Sequence, residues 1–207
     1  MRYILFDVGA NIGSDSVNKT RNNKQIVTFA FEPTPYLYNK LKESTQDIAD
    51  RYFISHCAVS NFVGEADFNI AGLNDWGCSS LNTFSENLNN TWPGRTDLKV
   101  TEVIKNIRVI TIKYFIEKMC HLKIDKIDYF HCDTQGSDLN VLQGCGEYIN
   151  IIQEGNIEVP DSESVKLYKE NHSYEDAKNF LESNNFEIYD VTQQQNEKNL
   201  FFRRKQL

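Results

Sequence analysis

The feature that most restricts the fold of this chain is a glycine-containing turn that follows a short apolar segment near its beginning. Residues 2–8 read RYILFDV and are followed by GANIG, which places Gly9 and Gly13 directly after a predicted buried strand. Because glycine has no Cβ atom, it lets the backbone turn sharply and approach a ligand closely. A strand that runs into such a turn and then into a helix is typical of α/β sheets that bind nucleotide-like ligands.

The other apolar segments repeat this alternation of strand and helix. The predicted strands are short and bounded by turn residues: 2–8, 26–31, 52–59, 65–70, 103–112, 126–132, 151–159, 186–191 and 199–204. The predicted helices carry an apolar stripe or a capping pattern: 35–47, 113–121, 137–143 and 173–184. Only seven residues join the last two strands, too few for a helical crossover, so we expect that pair to be antiparallel.

These elements predict an α/β, Rossmann-like fold with a mostly parallel seven-stranded sheet that ends in an antiparallel hairpin. A length of 207 residues fits a single domain, 1–207. The segment near 71–96 is polar and has little periodicity, and it holds both tryptophans, Trp76 and Trp92. Such a long irregular segment in a compact domain is usually functional, so we interpret it as an insert on the acceptor side of the site.

Composition and charge exclude several classes of function. The net charge is −7 and the pI is about 5.2, so no nucleic-acid partner is expected. No apolar run approaches the roughly 20 residues of a membrane span, and no signal peptide is recognisable, which favours a cytoplasmic protein. The five cysteines form no CxxC pair, which favours reduced thiols and no zinc site. Because the first strand begins at residue 2, the chain is either a minimal enzyme or part of a longer multidomain protein.

Two features predict the kind of cofactor. The glycines of the first turn lie at positions 9 and 13 only, which departs from the G-x-G-x-x-G pattern that binds a pyrophosphate. This suits a ligand without a pyrophosphate, such as the amino-acid end of S-adenosylmethionine (SAM). Glu32 ends the second strand and is followed by Pro33, which fixes the loop; an ionised acid there can accept hydrogen bonds from both hydroxyls of a ribose. Ala58 ends the third strand and leaves room for an adenine ring.

Two acids are candidates for the chemical step. Asp133 directly follows the buried segment 126–132, at the edge of the sheet where ligands bind in α/β proteins. It is a candidate general base or metal ligand, or alternatively an N-cap for the next helix. Glu158 lies near the end of the following strand and is expected to converge with Asp133. Together they would orient a substrate hydroxyl or hold Mg²⁺ against it.

Residues of the insert are candidates for contact with the acceptor. Asp75 and Trp76 combine a carboxylate with an aromatic ring, the pair of groups that sugar-binding surfaces use. The alternatives are a disordered tip or a tryptophan that is anchored in the core.

Three blocks carry a resemblance to a known family: DVGANIG (7–13), FEPTP (31–35) and DTQGSDLNVLQG (133–144). In this order and spacing they resemble the FkbM family of SAM-dependent methyltransferases. The resemblance implies a class I SAM methyltransferase fold and O-methylation, often of sugars or polyketide hydroxyls. It also implies that Gln135, near the substrate, replaces an acid that is common in the family. The resemblance implies that Gly9, Asn11 and Gly13 hold the amino-acid part of SAM, that Glu32 holds the ribose, and that Asp133 lies at the reaction centre. The full set of predicted cofactor contacts also includes Asp7, Ala10, Pro33 and Ala58.

The predicted function is therefore SAM-dependent O-methylation of a hydroxyl on a small molecule or glycan. A similarity to the methyltransferase domain of a viral glycan-synthesis protein points to a rhamnose-like sugar. Two alternatives stay open at this point. One is NAD-linked redox chemistry, against which the missing middle glycine argues. The other is a catalytically silent nucleotide- or glycan-binding module of a larger assembly, which the absent acid at Gln135 favours.

Overall fold

The computed structural model describes residues 2–72, 76–86, 88–95, 98–162 and 165–206. Within these ranges the chain forms ten strands: β1 (Tyr3–Val8), β2 (Ile26–Phe31), β3 (Tyr52–Ser55), β4 (Ala58–Val59), β5 (Gly64–Ala71), β6 (Val100–Ile110), β7 (Ile127–Cys132), β8 (Ile152–Pro160), β9 (Phe186–Gln194) and β10 (Glu197–Arg204). The helices are α1 (Ser14–Asn22), α2 (Pro35–Ser44), α3 (Leu88–Thr91), α4 (Ile112–Tyr114), α5 (Asp138–Gln143) and α6 (Tyr174–Ser183). None of the helices in the described ranges has the length and apolar character needed to span a membrane.

Seven of these strands form one sheet in the order β3-β2-β1-β7-β8-β10-β9. The pairs from β3 to β8 are parallel, and β10 runs antiparallel to both of its neighbours. This arrangement confirms the predicted Rossmann-like sheet with its terminal antiparallel hairpin. The carboxyl ends of β1, β2 and β7 lie side by side, so the residues that follow them meet at one edge of the sheet.

Local sequence explains most of these elements. All six residues of β2 (IVTFAF) are buried, as expected for a strand in the middle of a parallel sheet that is covered on both faces. The α6 helix begins with a capping box, in which the Ser173 side chain accepts from the Asp176 amide and the Asp176 carboxylate accepts from the Ser173 amide. Pro35 opens α2 at a position where a missing N–H costs no helical hydrogen bond.

Five phenylalanines on one face of the sheet hold its centre together. The ring centroids of Phe6, Phe29, Phe31 and Phe130 from the strands, and of Phe115 from the turn after α4, lie 4.9–6.0 Å apart in contacting pairs. Each ring is at most 5% exposed. Burial of this size stabilises the fold by about 1.5–3 kcal/mol per side chain, which fixes the ends of the three strands that carry the site.

Two segments depart from the sequence prediction. Residues 52–59 were expected as one strand, but the chain bends at His56, whose ring stacks on Tyr38 and contacts the Pro33 carbonyl at 3.1 Å. As a result β3 joins the main sheet, while β4 pairs with β6 in a separate three-stranded sheet, β4-β6-β5. The predicted helix 113–121 is instead α4 followed by a π-helical turn, Phe115–Met119, because Phe115 turns inward to join the aromatic core.

Candidate active site

The turn after β1 is held between the ends of two neighbouring strands. The Gly9 and Ala10 amides both donate to the Phe31 carbonyl of β2, at 3.1 and 3.0 Å. Gly9 has φ +81°, and a Cβ atom there would lie 1.9 Å from the Asp133 carbonyl oxygen after β7. Only glycine allows both this backbone conformation and this close approach.

Glu32 is a buried carboxylate whose orientation the backbone fixes. Its side chain is 4% exposed, and its two oxygens accept from the Asn11 amide at 2.8 Å and from the Thr34 amide at 2.7 Å. Burial raises the pKa of Glu32, and the two amide donors oppose that shift. Each oxygen keeps a further lone pair, so the carboxylate can still accept hydrogen bonds from a vicinal diol.

One cavity brings the predicted cofactor residues together. Gly9, Asn11 and Glu32 line it beside Asp133 and Gln135. Pro33 and Ala58 also line it, together with a group of mainly apolar side chains: Phe31, Cys57, Val59, Phe68 and Leu81. The cavity therefore combines an apolar wall with the buried Glu32 carboxylate.

A second cavity lies on the other side of the turn. It shares Gly9, Asn11 and Asp133 with the first, so the two cavities meet at the end of β1. The remaining predicted cofactor residues line this second cavity: Asp7, Ala10 and Gly13. Lys19 of α1 and His131 of β7 line it as well, and His131 Nδ1 lies 2.9 Å from Asp7 Oδ1. Burial lowers the pKa of His131, but the hydrogen bond and charge of Asp7 outweigh it, and the net shift is upward.

The two predicted catalytic acids come together through Gln135. The Gln135 Nε2 atom donates to Asp133 Oδ1 at 2.6 Å and lies 3.4 Å from Glu158 Oε2. Burial raises the pKa of Asp133, whereas Gln135 and His131 lower it. Burial and the neighbouring Asp133 raise the pKa of Glu158 to about 10, so Glu158 carries its proton at neutral pH. The α5 helix takes Ser137, not Asp133, as its N-cap residue, which leaves the Asp133 side chain at the cavity.

Sequence reasoning missed two further acids of this cluster. Burial, with the charge of Asp133, raises the pKa of Asp138 and of Glu197 to about 7 each. Within the described ranges, Asp138 Oδ1 has no hydrogen-bond partner. Asp138 belongs to the DTQGSD block, and the position of that block directly after β7 is the signal that identifies it. Glu197 comes from β10 and carries no local signal.

The remaining predictions concern a metal ion and the residues of the insert. The residues that the structure describes contain no group of three or more histidines, cysteines or acids arranged for a metal, so the expected Mg²⁺ has no support. Asp75 and the Trp76 side chain, predicted to contact the acceptor, lie outside the described residues. Their neighbours Gly77, Ser79 and Leu81 do line the first cavity. Trp92 is 7% exposed and packs with Leu98, Leu167 and Tyr168, so it serves the core.

Solved structures with the same fold are distant in sequence. TrmK of M. capricolum, in complex with S-adenosylhomocysteine, has TM-score 0.53 and 11% identity, covering 99% of this chain and 62% of that one. Fibrillarin of Aeropyrum pernix, with natively bound SAM, has TM-score 0.54 and 11% identity, covering 97% and 66% of the two chains. Sp1610 of Streptococcus pneumoniae, a putative tRNA (m1A22) methyltransferase in complex with SAM, has TM-score 0.51 and 10% identity, covering 100% and 68%.

The first two of these proteins are longer, and this chain spans 62% and 66% of their lengths. At such low identity the likeness establishes the fold. No curated protein matches the sequence. The model of the methyltransferase FkbM domain, in contrast, matches residues 7–188, which include the turn after β1, Glu32, Asp133 and Glu158. The chain therefore belongs to the FkbM family of methyltransferases.

Proposed function

We propose that this protein is a SAM-dependent O-methyltransferase that acts on a hydroxyl of a sugar or glycan. The observation that carries the proposal is that Gly9, Glu32 and Asp133, from three adjacent strand ends, line one cavity. A ligand that contacts Gly9 and Glu32 in this cavity therefore also lies beside Asp133.

The residues present fit SAM. The apolar wall around Ala58 suits adenine, and the buried Glu32 carboxylate suits the ribose hydroxyls. The second cavity, with the amino terminus of α1 and Lys19, offers donors to a carboxylate, while Asp7 offers an acceptor to an ammonium group. SAM, when bound, supplies a methyl group on a positively charged sulfur, which activates it for transfer.

The acids of the chain suit a hydroxyl acceptor. An alcohol must lose its proton as the methyl group arrives, and Asp133 is a carboxylate at the cavity that can accept that proton. A carboxylate whose pKa is raised by burial is a stronger base than one in water. Burial and neighbouring acids raise the pKa of Glu158 to about 10, so it does not compete with Asp133 for that proton. Glu158 lines neither cavity and contacts Gln135 Nε2 at 3.4 Å.

The charge of the site favours a sugar over a phosphate-rich acceptor. The carboxylates of Glu32 and Asp133 line the first cavity, and the whole chain has a net charge of −7. A phosphodiester backbone would be repelled here, whereas neutral hydroxyls can donate to the carboxylates.

Removing the Glu32 carboxylate tests the cofactor assignment. We expect Glu32→Ala to weaken SAM binding by about 1–3 kcal/mol, because charge-assisted hydrogen bonds to the ribose are lost. Isothermal titration calorimetry with SAM measures this, and Glu43→Ala, an exposed acid on α2, is the matched control. Equal affinities for the Glu32 variant and the wild type would refute the ribose assignment, and no binding to the wild type would refute the proposed function.

The acceptor class is tested by methyl transfer from SAM that carries a labelled methyl group. Methyl rhamnosides and other simple glycosides form one panel, and tRNA transcripts and small amines form the other. We expect label in the glycosides and none in the second panel, because the carboxylates of the cavity repel phosphates and the base Asp133 serves an acceptor that must lose a proton. Transfer to RNA or to amines alone would contradict the proposed acceptor while leaving the methyltransferase activity intact.

A further inference from the structure

Tyr168 lies outside the elements considered so far, yet it contacts the centre of the site. Its side chain is 1% exposed and packs with Trp92, Leu98 and Leu167 in a small core of its own. Its ring stacks on Phe84 with centroids 5.3 Å apart. The position of the Tyr168 hydroxyl is therefore set by packing and not by the residues of the site.

The turn after β7 is fitted against this ring. Gln135 and Gly136 have φ +56° and +90°, so both adopt the left-handed conformation. A Cβ atom on Gly136 would lie 2.8 Å from a carbon of the Tyr168 ring. The Ser80 hydroxyl donates to the Gln135 carbonyl at 2.6 Å. The backbone of Gln135 is thus held on both sides, which leaves its side-chain amide as the part that can rotate.

The Tyr168 hydroxyl and the Asp133 carboxylate together hold that amide in one orientation. The hydroxyl lies 2.9 Å from Gln135 Oε1 and 2.8 Å from the Cys78 carbonyl, and can donate to either. A primary amide has one accepting end and one donating end. When a donor holds Oε1, Nε2 must face the opposite way, and it does so toward Asp133 and Glu158. In the flipped orientation Oε1 would face the Asp133 carboxylate, acceptor against acceptor.

We propose that Tyr168 is a positioning residue: by holding the Gln135 amide, it keeps Asp133 ionised and available to a cationic cofactor. The inference rests on the proposed function, since the cation it assumes is the sulfonium of SAM. The amide of Gln135 thus has a role that the acid common in the family could not fill. An amide donor stabilises the charge of Asp133, whereas a second carboxylate would repel it.

Several groups besides Gln135 influence the charge of Asp133. His131 lowers its pKa and Asp7 raises it. Asp133 is also coupled electrostatically to Asp138, Glu158, Glu197 and Tyr168. Lys19 lines the same cavity from α1. The pH dependence of binding therefore reports the coupled cluster, and only a comparison between variants isolates the contribution of the amide.

The experiment compares SAM with S-adenosylhomocysteine (SAH), which has the same amino-acid and adenosine groups but no charge on sulfur. Calorimetry gives the ratio of their affinities at each pH from acidic to neutral, and titrations common to both ligands cancel in this ratio. The ratio of SAM affinity to SAH affinity should fall as pH falls, because the cluster becomes protonated. The pH at half of this fall is the midpoint by which the variants are compared. In Gln135→Met and in Tyr168→Phe we expect this midpoint to move upward, by about one pH unit or less.

A double variant decides whether Tyr168 acts through Gln135. Tyr168→Phe in the Gln135→Met background should add no further shift, because the amide it positions is already gone. Tyr189→Phe is the control, since Tyr189 donates at 2.5 Å to Glu154, and neither residue lines the two cavities. A wild-type midpoint in either single variant, or additive shifts in the double variant, would overturn the inference. Gln135→Met leaves the ring of Tyr168 in place. A wild-type midpoint in this variant therefore overturns the inference even if Tyr168→Phe folds poorly. Failure of the wild type to bind either ligand would instead remove the proposed function.

Discussion

Replacing Gly9 with alanine is expected to abolish SAM binding and to lower the free energy of unfolding by about 3 kcal/mol or more. The new Cβ atom would meet the Asp133 carbonyl oxygen at 1.9 Å, and the backbone would keep a φ of +81° that alanine disfavours. The neighbouring strands have little freedom to separate, because the Asp133 amide donates to the Val8 carbonyl at 2.9 Å and Val8 is paired with Cys132. The strain therefore acts directly on the cavity.

Urea denaturation and calorimetry with SAM measure the two effects of Gly9→Ala. Gly64→Ala is the matched control, since Gly64 lacks a positive φ and its nearest contacts would be Phe62 ring atoms at 3.8 Å. We expect this control to stay within about 0.5 kcal/mol of the wild type. Wild-type stability and affinity in Gly9→Ala would mean that the close approach of the two strand ends is not a requirement of the site.

The positions of Gly9 and Glu32 could be predicted because each depends on one local rule. Both follow a buried strand, and the carboxyl ends of adjacent parallel strands must meet at one edge of the sheet. The same rule brought Asp133 and Glu158 together. The FkbM family assignment rests on these segments as well, and the family model confirms it.

The remaining parts of the site depend on contacts that have no local pattern. Tyr168 reaches Gln135 from a segment between β8 and α6 that lacks periodicity, and Glu197 joins the acids only because β10 pairs with β8. The bend at His56 follows from its contacts with Tyr38 and Pro33, which the apolar run 52–59 conceals. Such contacts are decided by tertiary packing, which overrides local propensity.

Replacing Asp133 with asparagine is expected to reduce the rate of methyl transfer by about 10²–10⁴-fold, the usual contribution of a general base. Asparagine keeps the shape of the side chain and its oxygen still accepts from Gln135, but it cannot take the proton of a hydroxyl. The wild-type rate should rise with pH as Asp133 loses its proton, since the carboxylate is the active form. Because burial raises its pKa, this rise should lie above the pH of an ordinary aspartate.

Glu158→Gln is the matched comparison, because it changes a neighbouring acid of the same cluster in the same way. A carboxylic acid with a pKa of about 10 is protonated at neutral pH and donates a hydrogen bond, and the amide of glutamine also donates one. We therefore expect Glu158→Gln to keep its rate within about tenfold of the wild type. Single-turnover transfer of a labelled methyl group to the best glycoside of the acceptor panel measures both variants. A larger loss in Glu158→Gln than in Asp133→Asn would exchange the two roles and make Glu158 the base, and equal small losses would mean that neither acid removes the proton.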